Sequence, residues 1–398
     1  MVSRRDFLTV GATAAASAMV GAGVGATVTS QFAANGESSS AVGAQIRFEG
    51  PHQMGIEESI QASTNMLSFD LTPGITNQDM IRWMRLLTDD IRRLSSGEQP
   101  LADPTPETGI GPARFSAYVG FGPSLFKKLG LEDHMPEGLI ELPAFSVDAL
   151  EDKYSGGDVL IHVAADDAIA LFNGVRVLVR DSLPFATLRW SQSGFAHSAE
   201  SAKPVVTHRN LMGQLDGSAN PKLKSNEFNE IVWIKDGPKW IIGGTLLVFR
   251  RINMHLEKWD KLGSHSKSDV IGRSLGSGAP LTGLKESDIP DYSAELPSGR
   301  KVIDVDSHIR LASNSGMAMP LFRRPFSYGQ PGSEGALMQA GLLWCAYQRN
   351  INEQYLPMQQ RLAKSDRLNS YTTAVGSATF AIARGVTGSE TIAEDLFS

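Results

Sequence analysis

Asn65-Met66-Leu67-Ser68-Phe69-Asp70-Leu71 is an apolar run of strand length, and the segment that follows changes rhythm. From Asn77 to about Ser95 the apolar residues Met80, Ile81, Met84, Leu87 and Ile91 recur three or four positions apart. That spacing puts them on one face of a helix, which Asn77 is suited to cap. The strand-then-helix pair sets the style of everything downstream. Phe115 to Phe121 reads as a strand closed by Gly122-Pro123, and Val159 to Ala165 as another. Asp166 reads as the cap of a helix reaching about Arg180, and Ala186 to Trp190 begins a further strand.

Beyond residue 230 the pattern repeats. Ile231-Val232-Trp233-Ile234 and Thr245 to Ile252 read as strands, and Asn253 to Leu262 as a helix. Leu337 to Tyr347 reads as a central strand, Asn352 to Ser365 as an amphipathic helix and Ala378 to Ala383 as a last strand. Helices and strands mix without strict alternation, which predicts an α+β protein rather than a parallel-sheet one. Two similar halves are expected, divided near residues 200–210, and no short-period repeat is visible. The expected segments are 1–44, 45–205 and 206–398.

The chain has 398 residues, enough for more than one core, with 41% hydrophobic and 20% charged residues. A net charge of −6 argues against nucleic acid as a partner, because phosphate binding needs a basic face. The single cysteine, Cys345, excludes an internal disulfide and a cysteine-rich metal cluster. It lies in the apolar run Leu342 to Tyr347, where a small buried hydrophobe is the expected role.

Ser3-Arg4-Arg5-Asp6-Phe7-Leu8 is a twin-arginine pattern, followed from Val10 to about Thr29 by an uncharged stretch rich in Ala and Gly. This reads as an export signal. The stretch is too poor in Leu and Ile for a strong membrane anchor. Residues 30–44 read as a linker, cleavage is expected near 34–44, and the mature protein is expected to be periplasmic or extracellular. The twin-arginine route carries folded proteins, so a cofactor taken up before export is expected.

Three motifs carry chemistry. In Gly213-Gln214-Leu215-Asp216-Gly217-Ser218-Ala219-Asn220-Pro221, two glycines permit a tight loop around Asp216, which reads either as a plain Asp-Gly turn or as a carboxylate presented to a ligand. Among eight histidines, His308 in Val305-Asp306-Ser307-His308-Ile309-Arg310-Leu311 is flanked by apolar residues that suggest a half-buried site. Phe322-Arg323-Arg324-Pro325-Phe326-Ser327-Tyr328 sets two guanidinium groups among aromatic residues, either as a charged surface loop or beside an anionic or polar ligand.

The Gly-x-x-Asp-Gly loop followed by Asn-Pro resembles the signature of dye-decolorizing peroxidases. Other segments of that family follow in order: Phe48 to Ile56, Gly120 to Phe126, Ile271-Gly272-Arg273, Gly278 to Gly283, His308-Ile309-Arg310, Arg323-Arg324, Gly341-Leu342-Leu343, Tyr347-Gln348-Arg349 and Gly376-Ser377. The resemblance covers roughly residues 45–390 and is nearest to the exported bacterial subgroup. The chain departs from that subgroup at Leu215, where Phe is frequent, and at Pro325, where Gly is frequent.

The resemblance implies two ferredoxin-like domains with antiparallel sheets, of the dimeric α+β barrel type, and heme b in the C-terminal half. It implies His308 as the axial iron ligand and metal-binding residue, with Asp366 or Asp306 accepting from its other nitrogen. Asp216 is then the distal acid–base and Arg323 the group that stabilises charge on the leaving oxygen. Arg310 is a candidate partner for a heme propionate or an exposed charge. The implied substrates are hydrogen peroxide and an organic electron donor, with Tyr347, Trp344, Trp240, Trp233 and Tyr328 as core residues or electron relays. A heme-handling protein that releases iron from heme, or a heme carrier, is the alternative. The oligomeric state is open, a homo-oligomer included.

Overall fold

Strand β1 (Ser63–Leu71) is bonded on both sides, to β3 (Val159–Ala165) and to β4 (Ala186–Phe195). In register, Leu67 lies opposite Ile161 on one side and Ser191 on the other. Strand β2 (Ser116–Phe121) adds to the far side of β3, so the first half has the strand order β2-β3-β1-β4. Helix α1 (Asn77–Ser96) links β1 to β2, and α3 (Ala168–Ser182) links β3 to β4. A short helix α2 (Pro123–Leu129) follows β2. The computed structural model describes residues 44–101, 111–197, 207–313, 320–332 and 338–398; the twin-arginine segment and the expected division at 205/206 lie outside them.

The second half repeats the arrangement. Strands β5 (Thr245–Met254), β7 (Phe326–Pro331), β8 (Met338–Gln348) and β9 (Thr372–Ile382) take the order β7-β8-β5-β9, with α8 (Tyr355–Ser365) between β8 and β9. A two-residue strand β6 (Phe322–Arg323) also pairs with β8. The halves join through β2–β9, where Gly120 faces Ile382, and β4–β7, where Phe195 faces Ser327. All pairings are antiparallel, and the β5–β8 pairing closes the nine-stranded sheet into a barrel. Closure removes the exposed strand edges that each half alone would present. This is an α+β fold of two ferredoxin-like units. The described residues form one compact unit because the two halves share the barrel.

Strand alternation explains the apolar sequence. Leu67, Phe69, Val119, Ile161, Leu246 and Val248 lie in one core cluster with the buried residues of α1 and α3. Their neighbours Met66, Tyr118, Leu160, Leu247 and Phe249 pack together on the other face, inside the barrel. Both faces are covered, so β2 and β3 are buried at every residue. Each such large side chain contributes roughly 1.5–3 kcal/mol relative to exposure.

Some boundaries differ from expectation. Thr76, not Asn77, caps α1, in a reciprocal capping box with Asp79. Asp167, not Asp166, caps α3, because the Asp166 carboxylate is taken by a buried ion pair with Arg114 at 2.8 Å. Ile231 and Val232 end helix α4 (Asn226–Val232) instead of forming a strand. β5 runs on to Met254, which leaves Leu256–Asp260 as helix α5, followed by α6 (Ser264–Ile271). The last strand starts at Thr372, six residues before Ala378, because β5 pairs with its full length.

Candidate active site

The segment carrying Asp216 folds back on itself. Arg209 pairs with Leu215 as an antiparallel bridge, Asp216 N donates to His208 O at 2.9 Å and Asn210 N donates to Gln214 O at 2.9 Å. Gly213 (φ 80°) and Gly217 (φ 129°) supply the left-handed backbone that the turn demands. Leu215 is seated on Gly278, where an added Cβ would stand 2.2 Å from its Cδ1.

The Asp216 side chain is 8% exposed, and its Oδ1 lies 3.5 Å from Arg323 Nη1, an ion-pair distance that is long for a hydrogen bond. Its Oδ2 accepts from Asn210 Nδ2 at 3.3 Å. Asn220 holds the other partner in place: its Nδ2 donates to Arg323 O at 2.6 Å and its Oδ1 accepts from Arg323 N at 3.1 Å. Neighbours on a strand point to opposite sides, and that separates the two arginines. Arg323 meets Asp216. Arg324 is 3% exposed and donates to Glu58 O, Ser59 O and Gln61 Oε1 in the first half of the chain.

His308 opens the short helix α7 (His308–Ala312). Its Nδ1 lies 2.6 Å from Asp366 Oδ2, while Asp366 Oδ1 accepts from Leu368 N at 2.8 Å. Asp306, the sequence-adjacent alternative, is bound instead by Arg367 Nε at 2.8 Å. A carboxylate on Nδ1 fixes the proton there and leaves the Nε2 lone pair to a ligand. Arg310 Nη1 donates to Tyr292 O at 2.9 Å and Ile303 O at 3.0 Å, fastening that loop to α7.

One apolar cluster ties these segments together. Leu211 and Met212 come from the Asp216 loop, Ile309 from beside His308, Leu368 from beside Asp366, and Leu342 and Trp344 from β8. The residues fit a heme. Among the described residues no three His, Cys, Asp or Glu side chains gather to hold a bare metal ion. A tetrapyrrole brings four nitrogens of its own and needs one imidazole, which His308 offers, its Nε2 having no hydrogen-bond partner among the described residues. Gln214, two residues from Asp216, is 6% exposed and its Nε2 has no partner among the described residues.

The C-terminal domain of Dyp-type peroxidases matches residues 207–387, and the N-terminal domain matches residues 53–196. The chain belongs to the Dyp-type peroxidase family. Members bind heme, and the protein is an oxidoreductase. A dye-decolorizing peroxidase from Thermobifida fusca is 36% identical over 83% of this chain and 80% of its own. A deferrochelatase from Escherichia coli is 32% identical over 85% of this chain and 84% of its own. The crystal structure of a Dyp-type peroxidase from Cellulomonas bogoriensis superposes with a TM-score of 0.86 at 38% identity, covering 90% of this chain and 99% of that one.

The remaining residues singled out in the sequence have packing roles in this peroxidase. Tyr347 and Tyr118 share a hydroxyl–hydroxyl hydrogen bond of 2.6 Å inside the barrel. Trp233 stacks on His52 with centroids 3.7 Å apart, Trp240 donates to His134 O, and Trp344 lies against Tyr355. The Tyr328 hydroxyl donates to the Asn253 side chain, and its ring lies against Arg251. Cys345 is fully buried, and burial pushes its thiol up to about 12, so it stays protonated. Sequence reasoning does not single out Asn210, and it gives Gln214 and Asn220 no role beyond membership of the motif. The one signal available is position: Gln214 and Asn220 lie within the Asp216 motif and Asn210 just before it.

Proposed function

We propose that this chain is a heme peroxidase that reduces hydrogen peroxide and oxidises dyes or other aromatic donors, with His308 holding the iron. The observation that carries this is the pairing of Asp216 with Arg323, 107 residues apart, in a half-buried site. Bound heme b would supply the iron centre that activates peroxide and stores its two oxidising equivalents.

Asp216 takes a proton from one peroxide oxygen and returns it to the other as the O–O bond breaks, one group serving as base and then acid. Arg323 stabilises the charge that develops on the departing oxygen. Asn220 keeps that guanidinium in place, and Asn210 orients the carboxylate through Oδ2. Asp366 orients His308 and raises its basicity through Nδ1. Arg310, held through Nη1 by two backbone carbonyls, would offer its other guanidinium N–H groups to a heme propionate.

The second reading, release of iron from heme, is favoured by the similarity to the Escherichia coli deferrochelatase. It would use His308 and dispense with the Asp216–Arg323 pair. The test is the optical spectrum of heme-loaded protein before and after one equivalent of peroxide, for wild type, His308→Ala and Asp216→Asn. Peroxidase function requires a rapid spectral change in wild type, lost in Asp216→Asn, and a heme band disturbed in His308→Ala. A wild-type heme band indifferent to peroxide overturns the peroxidase reading and favours iron release. Export is part of the proposal, supported by Ser3-Arg4-Arg5-Asp6-Phe7-Leu8 and the Ala/Gly-rich stretch behind it.

A further inference from the structure

Asp216 needs a supply of protons. Reduction of one peroxide to two waters consumes two electrons and two protons. A large dye that stays outside the pocket delivers electrons alone, so the two protons must reach the buried carboxylate separately. The backbone around Asp216 places a carrier for them. The bridge between Arg209 and Leu215 sets His208 directly opposite Asp216. Alternation puts these two side chains on the same face of the ribbon, with Cβ atoms about 5 Å apart. His208 is half-buried, and the exposed His197, just beyond β4, lies next to it with ring centroids 6.5 Å apart. One water spans such a gap.

We propose that His197 and His208 form a proton path from solvent to Asp216. The proposal rests on the reading of Asp216 as the acid–base group. A neutral imidazole has one donor and one acceptor nitrogen. It takes a proton from the solvent side on one nitrogen and releases the proton of the other to the carboxylate, so one proton is moved and none is created. The charged and titratable groups acting on His208 are Asp216, His197 and Arg324. Burial, opposed by the Asp216 carboxylate, holds His208 below its ordinary 6.5, which leaves it neutral at pH 7 and ready to accept.

The test uses the full heme-loaded chain with a bulky dye as donor. His208→Gln keeps a polar side chain that cannot titrate. Its turnover should fall about tenfold or more, with an altered pH profile and a larger solvent deuterium effect. In His208→Ala, added imidazole should restore part of the rate. A readout independent of turnover is the NMR titration of His208 in protein loaded with zinc protoporphyrin. Asp216→Asn should move its midpoint down, because the opposing carboxylate is gone.

A His208→Gln enzyme within twofold of wild type from pH 5 to 8 overturns the path. So does a loss of rate that imidazole does not rescue and deuterium does not alter, which would assign His208 a structural role. Asp216→Asn separates the two failures. If it is inactive while His208→Gln is unimpaired, only the path fails. If it turns over like wild type, the reading of Asp216 fails and the path falls with it.

Discussion

His308 and Asp366 are 58 residues apart, yet Nδ1 of one lies 2.6 Å from Oδ2 of the other. The Asp366 side chain is 3% exposed, and its second oxygen is held by the Leu368 amide. The histidine is therefore oriented by a carboxylate that is itself fixed. Asp366→Asn should weaken heme retention or peroxide turnover by about 10–100-fold, the usual effect of removing such an orienting partner. Heme transfer to an apo-acceptor, followed at the heme absorption band, checks it. An unchanged transfer rate together with unchanged turnover would contradict the orienting role.

Asp216→Asn should lower kcat/KM for peroxide by about 10²–10⁴-fold, and Arg323→Leu by about 10²–10³-fold. Heme content should stay at the wild-type level in both, because neither residue is the proposed iron ligand. Measuring iron release from heme in the same variants completes the comparison. Loss of release in parallel with turnover would show that the pair serves both activities.

Asn220→Ala removes two hydrogen bonds to the Arg323 main chain without touching either charged group. A cost of about 1–3 kcal/mol in stability is expected from the unsatisfied backbone. A fall of about ten- to hundredfold in peroxide turnover is expected from a displaced guanidinium. Denaturant unfolding and steady-state kinetics report the two effects separately. Full turnover in a destabilised variant would show that Asn220 supports the loop and not the chemistry.

Asp90 in α1 is 2% exposed; burial and then the neighbouring Asp181 push its carboxyl up to about 8 from 3.8. The folded protein thus keeps this proton up to about pH 8, while the unfolded chain loses it near 3.8. Stability from this group is complete below pH 3.8 and is lost as pH rises towards 8. Asp90→Asn, neutral at every pH, should be more stable than wild type at pH 8 by an amount on the order of 1–3 kcal/mol. The advantage should vanish by pH 4. Urea unfolding at the two pH values decides it, and equal midpoints at pH 8 would contradict the shifted titration.

The α+β character and most strands were legible in the sequence because side chains repeat with the period of the element that buries them. Strand Val159–Ala165 spans the whole run that the sequence marks, since both of its faces are covered and every position is apolar or small save His162. Ile231 and Val232 are helical and not extended, because a short apolar run suits a buried helix end as well as a strand. At Asp166 local sequence offers a cap, and only tertiary structure shows that the carboxylate is claimed by Arg114.

The sequence alone determined which chemistries are available. It contains one carboxylate in a glycine-bounded loop, a histidine in a half-apolar setting and an arginine pair, with a single cysteine. The choice among partners was tertiary. Asp366 rather than Asp306 reaches His308, and Arg323 rather than Arg324 reaches Asp216. Barrel closure and the packing of Met212, Ile309, Leu342 and Leu368 in one cluster belong with these choices. Such pairings join residues far apart in the chain and depend on register, where a slip of one residue sends every side chain to the other face. Local periodicity carries no information about which distant segment will lie alongside.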